Sequence, residues 1–283
     1  NFLICCHVNE MNSQGGFYSL ILPPNYKQPN MQKQEIIVIG DVHGEQEWKE
    51  IIKSHPNGKF IFLGDYCDPH NEKLSYNDVI ENLKEIIQFK KEHSDCVTLL
   101  LGNHDIQYIY DESCKCSRYM QYVSYEIGTI FKENISLFEK VYHFKRILFT
   151  HAGVTEEWFK TTFPERNRKC IVEAINDCYE NKRLFACGIA RWGRELYGGI
   201  YWADKREFEH PLNGWIQIVG HNRVQDILLK QTNEKTAIIF CDCLLHKKYL
   251  TIIQEENSLH FYIAQIGRNE KSLLYTSHSL NDV

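Results

Sequence analysis

The fold is decided by the stretch Ile36-Ile-Val-Ile-Gly-Asp-Val-His-Gly44. Two later fragments repeat its plan: Phe60-Ile-Phe-Leu-Gly-Asp-Tyr-Cys-Asp68 and Val97-Thr-Leu-Leu-Leu-Gly-Asn-His-Asp105. Each is a short run rich in Ile, Val, Leu or Phe, closed by Gly-Asp or Gly-Asn. Such runs read as buried parallel strands with a sharp turn at the carboxyl end. Polar clusters at the same end of three strands define a site, because ligands of open α/β sheets bind at that edge.

Working outward, Glu45 to Ser54 reads as a helix with Trp48, Ile51 and Ile52 on one face. Ser75, with Asp78 three residues on, is a helix N-cap. The helix it starts carries Val79, Leu83, Ile86 and Ile87 at helical spacing. Residues 36–101 are therefore expected to form βαβαβ with right-handed crossovers. The Tyr-rich segment 108–139 is expected to be a helical cap near the site. Arg146 to Thr150 reads as a strand ending in His151. Thr155 to Ile175 reads as helical, interrupted at Pro164. The Gly-, Trp- and Arg-rich segment 181–214 reads as a long loop over the active face. Trp215 to Val219 is a further strand, ending in Gly220-His221. Residues 237–240, 250–253 and 259–263 read as antiparallel strands of a second sheet.

At 283 residues, with 43% hydrophobic residues, the chain has the makings of one large core. Residues 31–283 are expected to form one domain. Residues 1–30, broken by Gly15-Gly16 and Pro23-Pro24, are expected to be a weakly ordered, dispensable extension. A net charge of −5 argues against a general nucleic-acid binder, which would show a basic excess. No apolar run approaches the roughly 20 residues that span a bilayer. Eleven scattered cysteines suit free thiols in a reducing compartment, the cytoplasm. Cys114-x-Cys116 and Cys241-x-Cys243 lack the usual spacing of a structural zinc site.

Six residues at strand ends carry metal-type donors: Asp41, His43, Asp65, Asn103, His151 and His221. If the chain stays extended, Asp41 and His43 point the same way. This mixture of carboxylate, imidazole and amide oxygen suits Zn, Mn or Fe. Six donors are too many for one tetrahedral ion and fit two ions with a bridging carboxylate. Two divalent ions bring four positive charges and the two aspartates return half of them, leaving a site that attracts phosphate. Two ions about 3.5–4 Å apart lower the pKa of a bridging water and clamp phosphoryl oxygens. His104, beside Asn103, is free to protonate a leaving oxygen, and Asp68 can hold its other nitrogen. A lone strand-end His or Gly-Asp turn is usually structural. Six in order, each following an apolar run, are not.

These motifs resemble the calcineurin-like metallophosphoesterases, and within them PPP-type phosphatases and bis(5′-nucleosyl)-tetraphosphatases. The matching fragments are Gly40-Asp-Val-His-Gly44, Gly64-Asp-Tyr-Cys-Asp68, Gly102-Asn-His-Asp105, Thr150-His-Ala-Gly153 and Gly220-His221. The resemblance implies a four-layer αββα sandwich with two mixed sheets and two divalent ions, manganese first and iron or zinc next. It implies that Asp41, His43 and His221 hold one ion and Asn103 and His151 the other, with Asp65 bridging. It also implies a His104–Asp68 acid dyad. Tyr201-Trp-Ala-Asp204 is similar to a segment near the substrate in PPP phosphatases. Two positions depart from that pattern. Pro69 stands where those phosphatases have a phosphate-gripping Arg, and Asp105 stands where they usually have Glu. Arg118 and Arg191 are the preferred substitutes for the missing Arg, ahead of Arg194 and Arg223, because a guanidinium fork suits phosphate. The implied substrate is a phosphorylated small molecule, a nucleotide, a dinucleoside polyphosphate or a phosphoprotein. Tyr108, Tyr110 or Trp192 would stack a purine if the substrate is a nucleotide. A catalytically silent scaffold is the rival from another class.

Overall fold

The computed structural model describes residues 34–110, 115–178 and 181–278. The expected extension 1–30 and Cys114 lie outside the described residues. The 36–101 expectation holds. Strands β1 (Glu35–Ile39), β2 (Lys59–Phe62) and β3 (Val97–Leu100) are parallel neighbours, linked by α1 (Glu47–Ser54) and α2 (Tyr76–Glu92). Ser75 caps α2 in a reciprocal capping box with Asp78. Helix α3 (Asn103–Ile109) begins one residue after Gly102, so the third polar cluster is also a helix start.

Alternation along β1 makes two cores at once. Ile37 and Ile39 pack with Trp48, Ile51 and Leu83 beneath α1 and α2. Ile36 and Val38 point the other way, towards Ile147, Phe149, Ile216 and Ile218 of a second sheet. The first sheet has seven strands in the order β12-β11-β10-β1-β2-β3-β4, with β4 at Phe138–Glu139, β10 at Lys248–Glu255, β11 at Ser258–Gln265 and β12 at Lys271–Ser277. The second has five, in the order β5-β6-β7-β9-β8. They span Tyr142–Phe144 (β5), Ile147–Phe149 (β6), Ile216–Arg223 (β7), Leu228–Asn233 (β8) and Thr236–Asp242 (β9). Both sheets mix parallel and antiparallel pairs. Leu148, on the opposite face of β6, shares a core with Trp158 and Phe159 of α5 (Glu156–Thr162). Helices thus cover the outer faces of a two-sheet α/β sandwich.

The sheet assignment of the C-terminal strands is corrected. Only β9 lies in the second sheet, and it runs parallel to β7. β10 and β11 extend the first sheet, with β10 antiparallel to β1. β10 is buried on both faces over Tyr249–Ile253, which suits a strand inside a sandwich. Local apolar pattern marks such a strand but does not say which sheet receives it. The 108–139 segment is helical only in part: α4 spans Ser124–Glu133, and 3-10 turns and β4 occupy much of the rest of its described portion. Short β5, polar β8 and the edge strand β12 carry too little apolar alternation to be read in advance. Residues 155–177 divide into α5 and α6 (Ile171–Asp177), on either side of Pro164 as expected. Residues 181–214 form loop broken by short 3-10 turns.

Glu35 ties β1 to two neighbouring elements. Its carboxylate meets His55 Nδ1 at 2.9 Å and Lys271 Nζ at 2.6 Å. The His55 hydrogen bond and the Lys271 charge outweigh partial burial and hold the Glu35 carboxyl down at about 2, below its ordinary 4.5. A carboxyl lowered in the folded state stabilises above its unfolded value and loses that contribution as pH falls through the folded value. Glu35→Gln is expected to cost about 1 kcal/mol at pH 7, after allowing for solvent screening. Urea melts should show the gap between variant and parent narrowing as pH drops from 6 towards 3. A gap that stays constant would contradict the pairing.

Candidate metal centre and acid dyad

All six expected donors meet at one edge of the two sheets. Asp41 and His43 follow β1, and Asp65 follows β2. Asn103 opens α3, His151 follows β6, and His221 lies in β7. All are buried. His43, Asp65, Asp68 and His221 have φ of 47°, 55°, 59° and 58°. Non-glycine residues rarely adopt the left-handed region, and such strain gathers at functional sites. The expected extended geometry at 41–43 is therefore corrected. The backbone turns there, with Val42 N and His43 N both donating to Asp65 O at 3.1 and 2.7 Å. The Asp41 and His43 side chains converge because the chain bends. Gly102 is required nearby, because a Cβ on it would overlap Asp65 Oδ1.

Two donor sets result: Asp41, His43 and Asp65, and Asp65, His151 and His221, each with its ligand atoms within 4.8 Å of one another. Asp65 belongs to both, with Oδ2 3.7 Å from His43 Nε2 and 3.4 Å from His151 Nε2. Asn103 Oδ1 joins the second set, 2.8 Å from His151 Nε2 and 2.7 Å from His221 Nδ1. The grouping of His221 with Asp41 and His43 is thereby corrected. With φ positive at His221, only its backbone N–H reaches Asp41, at 3.0 Å from each carboxylate oxygen.

The donor set fits a cation. His151 Nδ1 lies 2.7 Å from Leu63 O, and His43 Nδ1 lies 2.9 Å from Cys67 O. A neutral imidazole has one N–H, so those carbonyls claim it and the Nε2 lone pairs face the centre. Asn103 Nδ2 is held 3.1 Å from Cys116 Sγ, which turns the amide oxygen inward as well. His221 Nε2 is buried without a partner. Burial, then Asp242 and Asp65, push the Asp41 carboxyl well up. Burial and Asp65 raise Asp242 to about 6. Lone pairs and carboxylates crowded together in a buried site repel one another, and a divalent ion relieves that repulsion.

Beside this centre His104 Nδ1 lies 2.6 Å from Asp68 Oδ2. Asp68 is fully buried and also accepts from Gln107 Nε2 and Tyr108 Oη. Burial alone would lower the His104 imidazole, but the Asp65 and Asp68 carboxylates outweigh it and raise it. Gln107 and Tyr108 were not foreseen as supports of the dyad. Their spacing of three and four residues from His104 along one helix was the available signal. Tyr108 is thus not open for stacking: its hydroxyl serves Asp68 and its ring stacks on Tyr119 at 4.9 Å. Tyr110 packs against Phe185. Asp242 was also missed, although it ends a strand just as Asp41 follows one.

Asp105 builds the scaffold under the centre. Its carboxylate accepts from Asp65 N and Gly102 N at 2.7 Å and from Tyr66 N at 2.8 Å. Burial and Asp65 raise it to about 7. Asp105→Ala leaves three buried N–H groups without an acceptor, each worth roughly 1–3 kcal/mol. The expected result is a drop of at least about 3 kcal/mol in urea-melt stability. A stable variant would show that water replaces the carboxylate.

A cavity of about 520 Å³ opens over the centre, its wall including Trp192, Trp202, Arg191 and Arg223. Arg118 is exposed and does not line that wall itself, although its charge acts on His70, which does. Arg191 is on the wall but is engaged by Asp204 at 2.6 Å and Asn222 at 2.8 Å. Arg223, exposed on the wall, is better placed. Cys241 and Cys243 are buried with their thiols towards backbone carbonyls.

A two-sheet α/β sandwich with paired Asp/His donor sets at its strand ends defines a metal-binding hydrolase class. The calcineurin-like phosphoesterase family model matches residues 35–240, and the chain belongs to that family: it is a phosphoric ester hydrolase. Similar solved structures include a protein serine/threonine phosphatase from Saccharomyces cerevisiae (16% identity, TM-score 0.47, 88% of this chain and 81% of that one). Vacuolar protein sorting 29 from Cryptosporidium parvum matches at 11% identity and TM-score 0.38 over 86% of this chain and 96% of its own. A predicted phosphoesterase from Streptococcus pneumoniae matches at 13% identity and TM-score 0.33, over 86% and 98%. No helix among the described residues is long and apolar enough to cross a membrane.

Proposed function

We propose that the chain hydrolyses phosphate esters with two divalent ions, manganese first and iron or zinc next. Asp41 and His43 would hold one ion and Asn103, His151 and His221 the other, with Asp65 common to both sets. When bound, such ions acidify water and neutralise phosphoryl charge. The protein's own groups do the rest. Asp68 fixes the His104 ring through Nδ1, leaving Nε2 to give a proton to the departing oxygen. Arg223 and Arg191 offer positive charge on the cavity wall. Burial of the centre excludes bulk water and strengthens each electrostatic contact.

One observation carries this reading: Asp65 belongs to two donor sets, in which backbone carbonyls hold Nδ1 of His43 and of His151 so that each Nε2 faces inward. Protein stripped with a chelator should lose p-nitrophenyl phosphate hydrolysis and regain it on adding Mn²⁺. Full activity after stripping, with no residual metal, would overturn the reading. The intact donor set favours an enzyme over a silent scaffold. A PPP-like phosphomonoester reaction is the first reading of substrate. Dinucleoside polyphosphate hydrolysis is the second, favoured by a cavity larger than one phosphate fills. The buried thiols Cys67, Cys241 and Cys243 suit a reducing compartment such as the cytoplasm.

A further inference from the structure

Trp192 is 99% exposed, yet it sits on the wall of the cavity over the metal centre. The loop that carries it is tightly built. Ile189 N donates to Glu195 O at 2.8 Å, Gly193 N to Gly188 O at 3.0 Å, and Glu195 N to Cys187 O at 3.3 Å. A side chain at Gly193 would overlap the Cys187 carbonyl. Next to it, Arg191 is tied to Asp204 and Asn222, and Asn222 adjoins the donor His221. Trp192 itself has φ of 66°, a left-handed conformation that few side chains adopt. A large apolar ring held out in water by a loop of this kind adds nothing to the core. Its indole face is kept free for something that enters the cavity.

We propose that Trp192 is a stacking platform that selects phosphate esters whose leaving group carries a flat aromatic ring, above all a nucleobase. The proposal rests on the phosphoesterase reading for the position of the phosphate. Three observations favour a small aromatic anion over a protein surface. The cavity, about 520 Å³, falls in the range that takes organic ligands with a body beyond the phosphate. Arg223 shares the wall with Trp192 and offers charge to a phosphate chain, while Lys115 on the same wall is held by Gln107 O at 2.8 Å and lies over the Tyr119 ring. Ile189 and Leu196, the other exposed apolar residues of this loop, lie off that wall, so Trp192 alone of the three is turned to the site. Every base has a π-face, so stacking tolerates different bases while rejecting alkyl groups.

The test compares AMP with glycerol 3-phosphate, two phosphomonoesters that differ in having or lacking a ring. Trp192→Ala is expected to lower the AMP to glycerol 3-phosphate ratio of kcat/KM about tenfold, through KM. Trp192→Phe should restore most of it, and Ile189→Ala should leave the parent ratio. An unchanged ratio in Trp192→Ala, or an equal fall in Ile189→Ala, would overturn the proposal. Equilibrium dialysis with labelled AMP separates this outcome from failure of the underlying reading. A parent that hydrolyses neither ester but binds AMP more tightly than Trp192→Ala refutes the phosphomonoester reading and keeps the platform. A parent with no AMP binding refutes the platform.

Discussion

Asp65→Asn is expected to take the purified protein from two bound divalent ions to almost none, and to abolish phosphoesterase activity with them. The reason lies in the sharing. Asp65 Oδ2 faces His43 Nε2 and His151 Nε2 from one buried position, so a single carboxylate serves both donor sets. Its Oδ1 already accepts from His104 N at 2.8 Å, which fixes the side chain with no freedom to compensate. Burial alone would raise Asp65, but the His151, His104 and His43 rings hold it well below the ordinary carboxylate range. It therefore stays ionised, as a bridging ligand must. An asparagine in its place removes the charge from both sets and offers only one acceptor oxygen. Melting curves with and without Mn²⁺ give the control: the parent should gain stability from the metal and the variant should not. Two ions still bound to Asp65→Asn by elemental analysis would refute the bridging role.

His104→Ala is the second large effect, and its signature is the opposite. The ring takes no part in either donor set. Its Nδ1 is claimed by Asp68, which leaves Nε2 for the proposed proton delivery. General acid catalysis contributes roughly 10²–10⁴ in rate, and kcat should fall by about that factor. Metal content should stay at the parent level. The loss should also depend on the leaving group, large for a poor one such as glycerol and small for p-nitrophenolate, which departs with little help. A variant that loses metal and activity together would place His104 in the ligand shell instead.

That Asn103 and His104 face different partners was legible in the sequence because neighbours in a chain point apart. Asn103 and His104 are adjacent, yet one faces the donor sets and the other faces Asp68. The first three strands and their crossovers were legible because buried parallel strands read as continuous apolar runs, and Ser75 with Asp78 marked the second helix. What escaped was long-range. Nothing local in Leu250–Ile253 says that β10 pairs with β1 rather than with β9, because both partners offer an apolar surface. Likewise nothing local sets the His221 ring beside Asn103. A positive φ and the approach of strands far apart in sequence decide that. The arginines were the least legible of all. A guanidinium's reach spans most of a cavity, and only its competing partners, Asp204 and Asn222 for Arg191, reveal what it is committed to.

The most direct measurement of the central claim is anomalous X-ray scattering from crystals of the Mn²⁺-loaded protein. Two manganese peaks are predicted with Asp65 between them, one beside Asp41 and His43, the other beside Asn103, His151 and His221. A single peak, or peaks that do not share Asp65, would contradict it.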